Sequence, residues 1–83
     1  MDIEFDPAKD ALNIEKHGIS LSRVVDLETI VVVEDGRFSE KRFRFYGTID
    51  GIAHCAAITF RNGVIRAINL RRAHAKEYRR HVR

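Results

Sequence analysis

Between Arg42 and Ile49 the chain alternates strictly. Phe43, Phe45, Gly47 and Ile49 fall on one side, and Arg42, Arg44, Tyr46 and Thr48 on the other. A two-residue period is that of a β-strand with one face packed and the other open. Asp50-Gly51 then reads as a hairpin turn, Ala53 to Phe60 as the next strand, Asn62-Gly63 as a second turn, and Val64 to Leu70 as the strand after it. Thr29 to Val33 is rich in β-branched residues and reads as an earlier strand, closed by the turn signal Glu34-Asp35-Gly36. Nearer the N-terminus the pattern is helical. Asp6 is a good cap and Pro7 suits the first helical position, so a helix is predicted from there to His17, with Gly18 as its left-handed terminator. Ser20 or Ser22 caps a second, shorter helix over Arg23 to Glu28, with Val24, Val25 and Leu27 as its apolar side. Ile3 and Phe5 alternate with acids and predict a short strand or arm. Arg72 or Ala73 to about Val82 is a closing helix with Ala75, Tyr78 and Val82 as its apolar stripe. The prediction is one α+β domain over residues 1–83: two N-terminal helices, a three- to four-stranded antiparallel sheet and a C-terminal helix.

Charge sharpens this picture. Residues 61–83 hold eight Lys or Arg against one acid, Glu77, a net +7, whereas the first sixty residues sum to −4. Like charges gathered in an ordered segment repel unless a polyanion or an acidic partner screens them, so nucleic acid is the leading expected partner. The 45% apolar and 33% charged fractions are those of a globular chain with a thin core. The N-terminus lacks the apolar run of a secretory signal. No stretch reaches the roughly 18 to 20 apolar residues that span a bilayer. With a single cysteine, Cys55, these features point to a cytoplasmic protein that does not engage the membrane.

Arg42, Arg44 and Tyr46 project from one predicted sheet face, a combination suited to RNA because guanidinium pairs with phosphate and an aromatic ring stacks a base. Arg61, Arg66, Arg71 and Arg72 lie on the adjacent strands and their ends, although strand parity alone leaves open which of them share that face. Glu40 and Glu77, each flanked by basic residues, are candidates for a base or for orienting an arginine. His17, His54, His74 and His81 are too widely spaced for a zinc site, and Cys55 reads as a small core residue. No phosphate-binding glycine loop or nucleophile elbow occurs, which disfavours ATP-dependent chemistry and serine hydrolysis; no cofactor is expected, and the histidine spacing gives no reason to expect a metal.

The opening FDPAKDALNIEKHGIS resembles the "WDPxKxxxNxxKHGVS" start of the BrnT toxin family, matching at Asp6, Pro7, Lys9, Asn13, Lys16, His17, Gly18 and Ser20. RFSEKRFRFYGTIDG is similar to that family's "RxxExRxxxxGxxxG", at Arg37, Glu40, Arg42, Phe43, Gly47 and Gly51. ITFRNGVIRAINLRRAHAKE resembles its closing segment at Thr59, Arg61, Ile65, Arg66, Ile68, Arg71, Ala73 and Glu77. Asn69-Leu70 stands where the family usually has Ser-Ala. The family's aromatic after the closing glutamate is absent, leaving Tyr78 or His81 to take its place.

The resemblance implies a RelE-like fold and a type II toxin, a metal-independent endoribonuclease that blocks translation. It also implies a BrnA-like antitoxin partner through which operator DNA is bound. On that reading Arg61, Arg66 and Arg71 bind phosphate and stabilise the transition state, and Glu40 or Glu77 takes the 2′-hydroxyl proton or fixes an arginine. Arg42, Arg44, Tyr46, Arg72 and Tyr78 hold the RNA. The alternative is a non-catalytic module that binds nucleic acid or protein.

Overall fold

The structure is a computed structural model and describes residues 2–82. It begins with β1 (Ile3–Glu4) and α1 (Pro7–His17), continues through a 3-10 segment (Leu21–Asp26), and then runs β2 (Glu28–Asp35), β3 (Arg42–Ile49), β4 (Ile52–Arg61), β5 (Val64–Arg72) and α2 (Ala75–His81). The strands form one sheet in the order β1-β5-β4-β3-β2.

The α+β class holds, but three predicted features are corrected. The sheet has five strands and is mixed, because the N-terminal arm adds β1 parallel to β5, with Ile3 opposite Ile65 and Glu4 opposite Arg66. The alternation at Ile3 and Phe5 predicts a short strand, but its pairing with a segment some sixty positions away leaves no trace in sequence. The second N-terminal helix is a 3-10 segment. Leu21 and Val24, both fully buried, are three residues apart, the repeat of that tighter helix. Six residues between the Ser20 cap and extended Leu27 leave room for two tight turns only. Finally, β5 runs on to Arg72, paired with His54 in β4, so the closing helix starts three residues later than the earlier limit predicted. It docks through the Glu77 carboxylate and the His81 ring, which stacks on Tyr46, while none of its residues is fully buried and Ala75 is exposed.

The first helix forms as its caps dictate. Asp6 Oδ1 accepts from the Ala8 N–H at 2.8 Å, Pro7 opens the first turn, and Gly18 closes it at φ 71°. Asp10 then ties this helix to the next segment, accepting from the Leu21 N–H at 2.7 Å and the Ser20 hydroxyl at 2.9 Å. Both hairpins turn on left-handed pairs, Asp50-Gly51 and Asn62-Gly63, the conformation that two-residue turns favour. The core gathers on one sheet face, where Leu21, Val24 and Leu27 cover Phe45, Ile49, Ala56, Ile58, Ala67 and Leu70. Gly47 admits the chain there: a Cβ on it would lie 2.6 Å from the Glu28 carbonyl oxygen. α1 contributes a polar anchor to this layer. Its only buried residue, Asn13, donates to the carbonyls of Ile19 (2.8 Å) and Leu70 (2.9 Å) and accepts from the Leu70 N–H (3.1 Å). No helix among the described residues is long and apolar enough to cross a membrane.

Candidate RNA-cleaving site

Directly opposed residues in a sheet share a face, so the register places the side chains on the face away from the core. One row is Val31, Tyr46, Cys55 and Arg71. The next is Val33, Arg44, Ala57 and Asn69, and the third is Asp35, Arg42, Thr59, Arg66 and Glu4. Four arginines, two on β3 and two on β5, therefore rise from one surface. They share it because β5 is irregular where it passes Ala57 and Ile58: Asn69 pairs with Ala57 and Ala67 with Ile58, leaving Ile68 as an extra residue. A regular strand would have sent Arg66 and Arg71, five positions apart, to opposite faces.

Arg71 and Glu77 anchor the site. Arg71 Nη1 donates to Glu77 Oε1 and Nη2 to Oε2, both at 3.0 Å, a two-pronged pairing that only guanidinium allows. The Tyr46 hydroxyl donates to Glu77 Oε2 at 2.8 Å and accepts from Arg44 Nη1 at 2.9 Å. Arg44 Nη1 is itself 3.9 Å from Glu77 Oε2. Two guanidinium groups thus share one carboxylate, which leaves local positive charge in excess. The Arg44 Nε is buried without a hydrogen-bond partner among the described residues. Arg71, Arg44 and Arg42 line a cleft of about 190 Å³ together with Arg37, Phe38, Cys55 and Asn69.

These contacts set the protonation states. Hydrogen bonds from Arg71, with a further one from Tyr46, outweigh burial and hold the Glu77 carboxyl down at about 2. Burial first, then the bond to Glu77, pushes the Tyr46 hydroxyl far above its usual value, so it stays protonated. Arg37 holds Asp35 at about 2, and burial raises the Cys55 thiol. Because Glu77 is depressed in the folded state, its stabilisation is complete above the ordinary carboxyl value of 4.5 and is lost as pH falls toward about 2. Thermal unfolding across that window should show a loss on the order of 3 kcal/mol from this group. Glu77→Gln should remove that share of the acid dependence, leaving the part that Asp35 contributes, and an unchanged acid profile would contradict the pairing.

The remaining candidates are placed as follows. Glu40 binds Arg42 through Oε1, at 3.0 Å from Nε and 2.9 Å from Nη2. Arg66 reaches Glu4 at 3.2 Å. Arg61 is exposed at the end of β4, next to the Asn62-Gly63 turn. Tyr78 is half-buried on α2 beside Glu77. Two expectations change. Tyr46 is fully buried, stacked on His81 with ring centroids 4.7 Å apart, and cannot offer its ring to a base. Arg72 belongs to the opposite face, beside His17 and His54 in a separate cleft. Cys55, read as a core residue, is buried but lies on the arginine side. Sequence reasoning gives Arg37 no role beyond a matched motif position, reads Asp35 only as part of a turn, and passes over Phe38. The available signal was Arg37-Phe38 standing at the turn before a strand that opens with Arg42. Among the described residues no three His, Cys, Asp or Glu side chains gather as a metal site.

The fold is similar to that in the crystal structure of the Brucella abortus ribonuclease toxin BrnT. The TM-score is 0.73 at 22% identity, covering 89% of this chain and 97% of that one. That likeness concerns the fold. No curated protein matches the sequence. The family model described as the ribonuclease toxin BrnT of type II toxin–antitoxin systems matches residues 5–77, nearly the whole chain. The chain therefore belongs to the BrnT family of type II ribonuclease toxins.

Proposed function

We propose that the arginine-lined cleft cleaves RNA without a metal ion, by attack of a 2′-hydroxyl on the adjacent phosphate. The phosphorus–5′-oxygen bond breaks as the 2′-oxygen bonds to phosphorus, and the leaving 5′-oxygen takes a proton from water, so the products are a cyclic phosphate and a 5′-hydroxyl. The observation that carries this reading is the Arg71–Glu77–Tyr46–Arg44 network at the edge of the cleft. Charge developing on the phosphate needs fixed donors, and a network that is already ordered supplies them without reorganising. Arg71 and Arg44 meet the non-bridging oxygens through the accessible parts of their guanidinium groups. Arg42 contacts the same phosphate or the next one. Glu77, ionised with both oxygens engaged, is a poor proton acceptor, so it positions Arg71. Glu40, which holds Arg42 through one oxygen, takes the 2′-hydroxyl proton. Arg66 and Arg61 contact flanking phosphates.

The chain works as the toxin of a pair, acting in the cytoplasm where translated RNA is found. A BrnA-like antitoxin neutralises it and carries the operator-binding function. The test is incubation of the purified protein with single-stranded RNA in excess EDTA, with the product ends analysed. Cyclic phosphate ends, absent when the substrate is 2′-O-methylated, are the expected result. RNA that is bound but left intact in EDTA would overturn metal-free cleavage and leave a binding module.

A further inference from the structure

At the rim of the cleft, on the loop between β2 and β3, Phe38 is 42% exposed. The cleavage chemistry gives this ring no part, and an aromatic ring left in water beside a polyanion site has a ready use. The Arg42 guanidinium carbon lies 4.0 Å from the ring centroid and that of Arg37 lies 5.5 Å away. Each cation is fixed by its own carboxylate. Arg37 Nε and Nη2 donate to Asp35 at 2.8 and 2.7 Å, and Arg42 is held by Glu40. Asp35 is buried, so the loop that carries the ring is pinned to the end of β2. Phe38, Arg37 and Arg42 line the same cleft as Arg71.

Unstacked bases pack on aromatic rings and on guanidinium planes, and both surfaces are present here within one van der Waals reach. Phenylalanine has no polar atom to read a base edge, so the contact accepts any base. Building on the cleavage reading, we propose that Phe38, flanked by Arg37 and Arg42, is a stacking platform for one unpaired base beside the scissile phosphate. A paired base has both faces covered by its neighbours, so the substrate class is single-stranded RNA or an unpaired stretch of it.

The experiment measures binding of a non-cleavable 2′-O-methyl RNA to the full chain by fluorescence anisotropy at one fixed salt concentration. Phe38→Leu keeps apolar bulk without a π face and should bind about tenfold more weakly, the size expected for losing one stacked base. Phe38→Trp should restore affinity. Removing the base at one position of the RNA should weaken wild-type binding by a similar factor and leave Phe38→Leu binding unchanged. A duplex of the same sequence should bind more weakly than the single strand. Cleavage by Phe38→Leu should show a raised KM. Equal single-strand affinity of wild type and Phe38→Leu, or duplex binding as tight as single-strand binding, would overturn the platform while leaving cleavage standing. Wild-type protein that neither binds nor cleaves RNA would overturn the cleavage reading beneath it and the platform with it.

Discussion

Arg71→Ala should lower the rate of RNA cleavage by about 10²–10³-fold, the effect of removing one preorganised donor from a developing anion. The loss should fall on kcat, because the interaction strengthens as charge moves onto the phosphate. Arg71 is the one arginine of the cleft bound to Glu77 through both prongs, so no neighbour reproduces its geometry. Arg71→Lys should recover only part of the rate, since an ammonium keeps the charge but loses the fork. Removing the guanidinium also leaves Glu77 with Tyr46 as its remaining side-chain hydrogen-bond donor among the described residues, so some stability is lost too. Circular dichroism and thermal unfolding on the same sample separate the two effects. A folded Arg71→Ala protein cleaving at the wild-type rate would remove Arg71 from the chemistry.

Asn13→Ala should destabilise the fold by about 3 kcal/mol, without direct effect on cleavage by molecules that remain folded. Asn13 is buried and bonds both backbone groups of Leu70, fifty-seven positions away, as a neighbouring strand would. β1, which pairs with β5 only at Ile65 and Arg66, does not extend that far. Its amide therefore closes the open edge of β5 and also accepts no substitute: alanine leaves the Leu70 N–H, the Leu70 carbonyl and the Ile19 carbonyl without their partner. Each buried group so orphaned costs about 1–3 kcal/mol. In a chain of this size the midpoint of thermal unfolding should drop by roughly 15 °C. A shift of only a degree or two would show that water or backbone movement replaces the amide.

Much of this architecture was legible in residue order, where the signal is local. The Asp6-Pro7 start and Gly18 stop of α1 are matters of capping and backbone freedom, and both stand where predicted. The Asp50-Gly51 and Asn62-Gly63 hairpins were equally clear, because two successive left-handed residues suit few other pairs. Asn13 was visible as a matched motif position, but its role was not, since its partner lies at the other end of the chain. The same holds for Tyr46. Its alternation with Phe45 placed it on the polar face correctly, yet only the arrival of α2 buries it beneath Glu77 and His81.

Alternation, capping and turn chemistry therefore carried the order of the elements, because each depends on residues a few positions apart. The clustered charge of the last quarter likewise foretold a basic surface. Which arginines meet depended on the fold. One extra residue in β5 reverses its alternation and brings Arg66 onto the face of Arg71, while Arg72 turns away toward His54. A bulge of that kind arises from the pairing between strands, and pairing is a property of the assembled sheet that no single segment encodes.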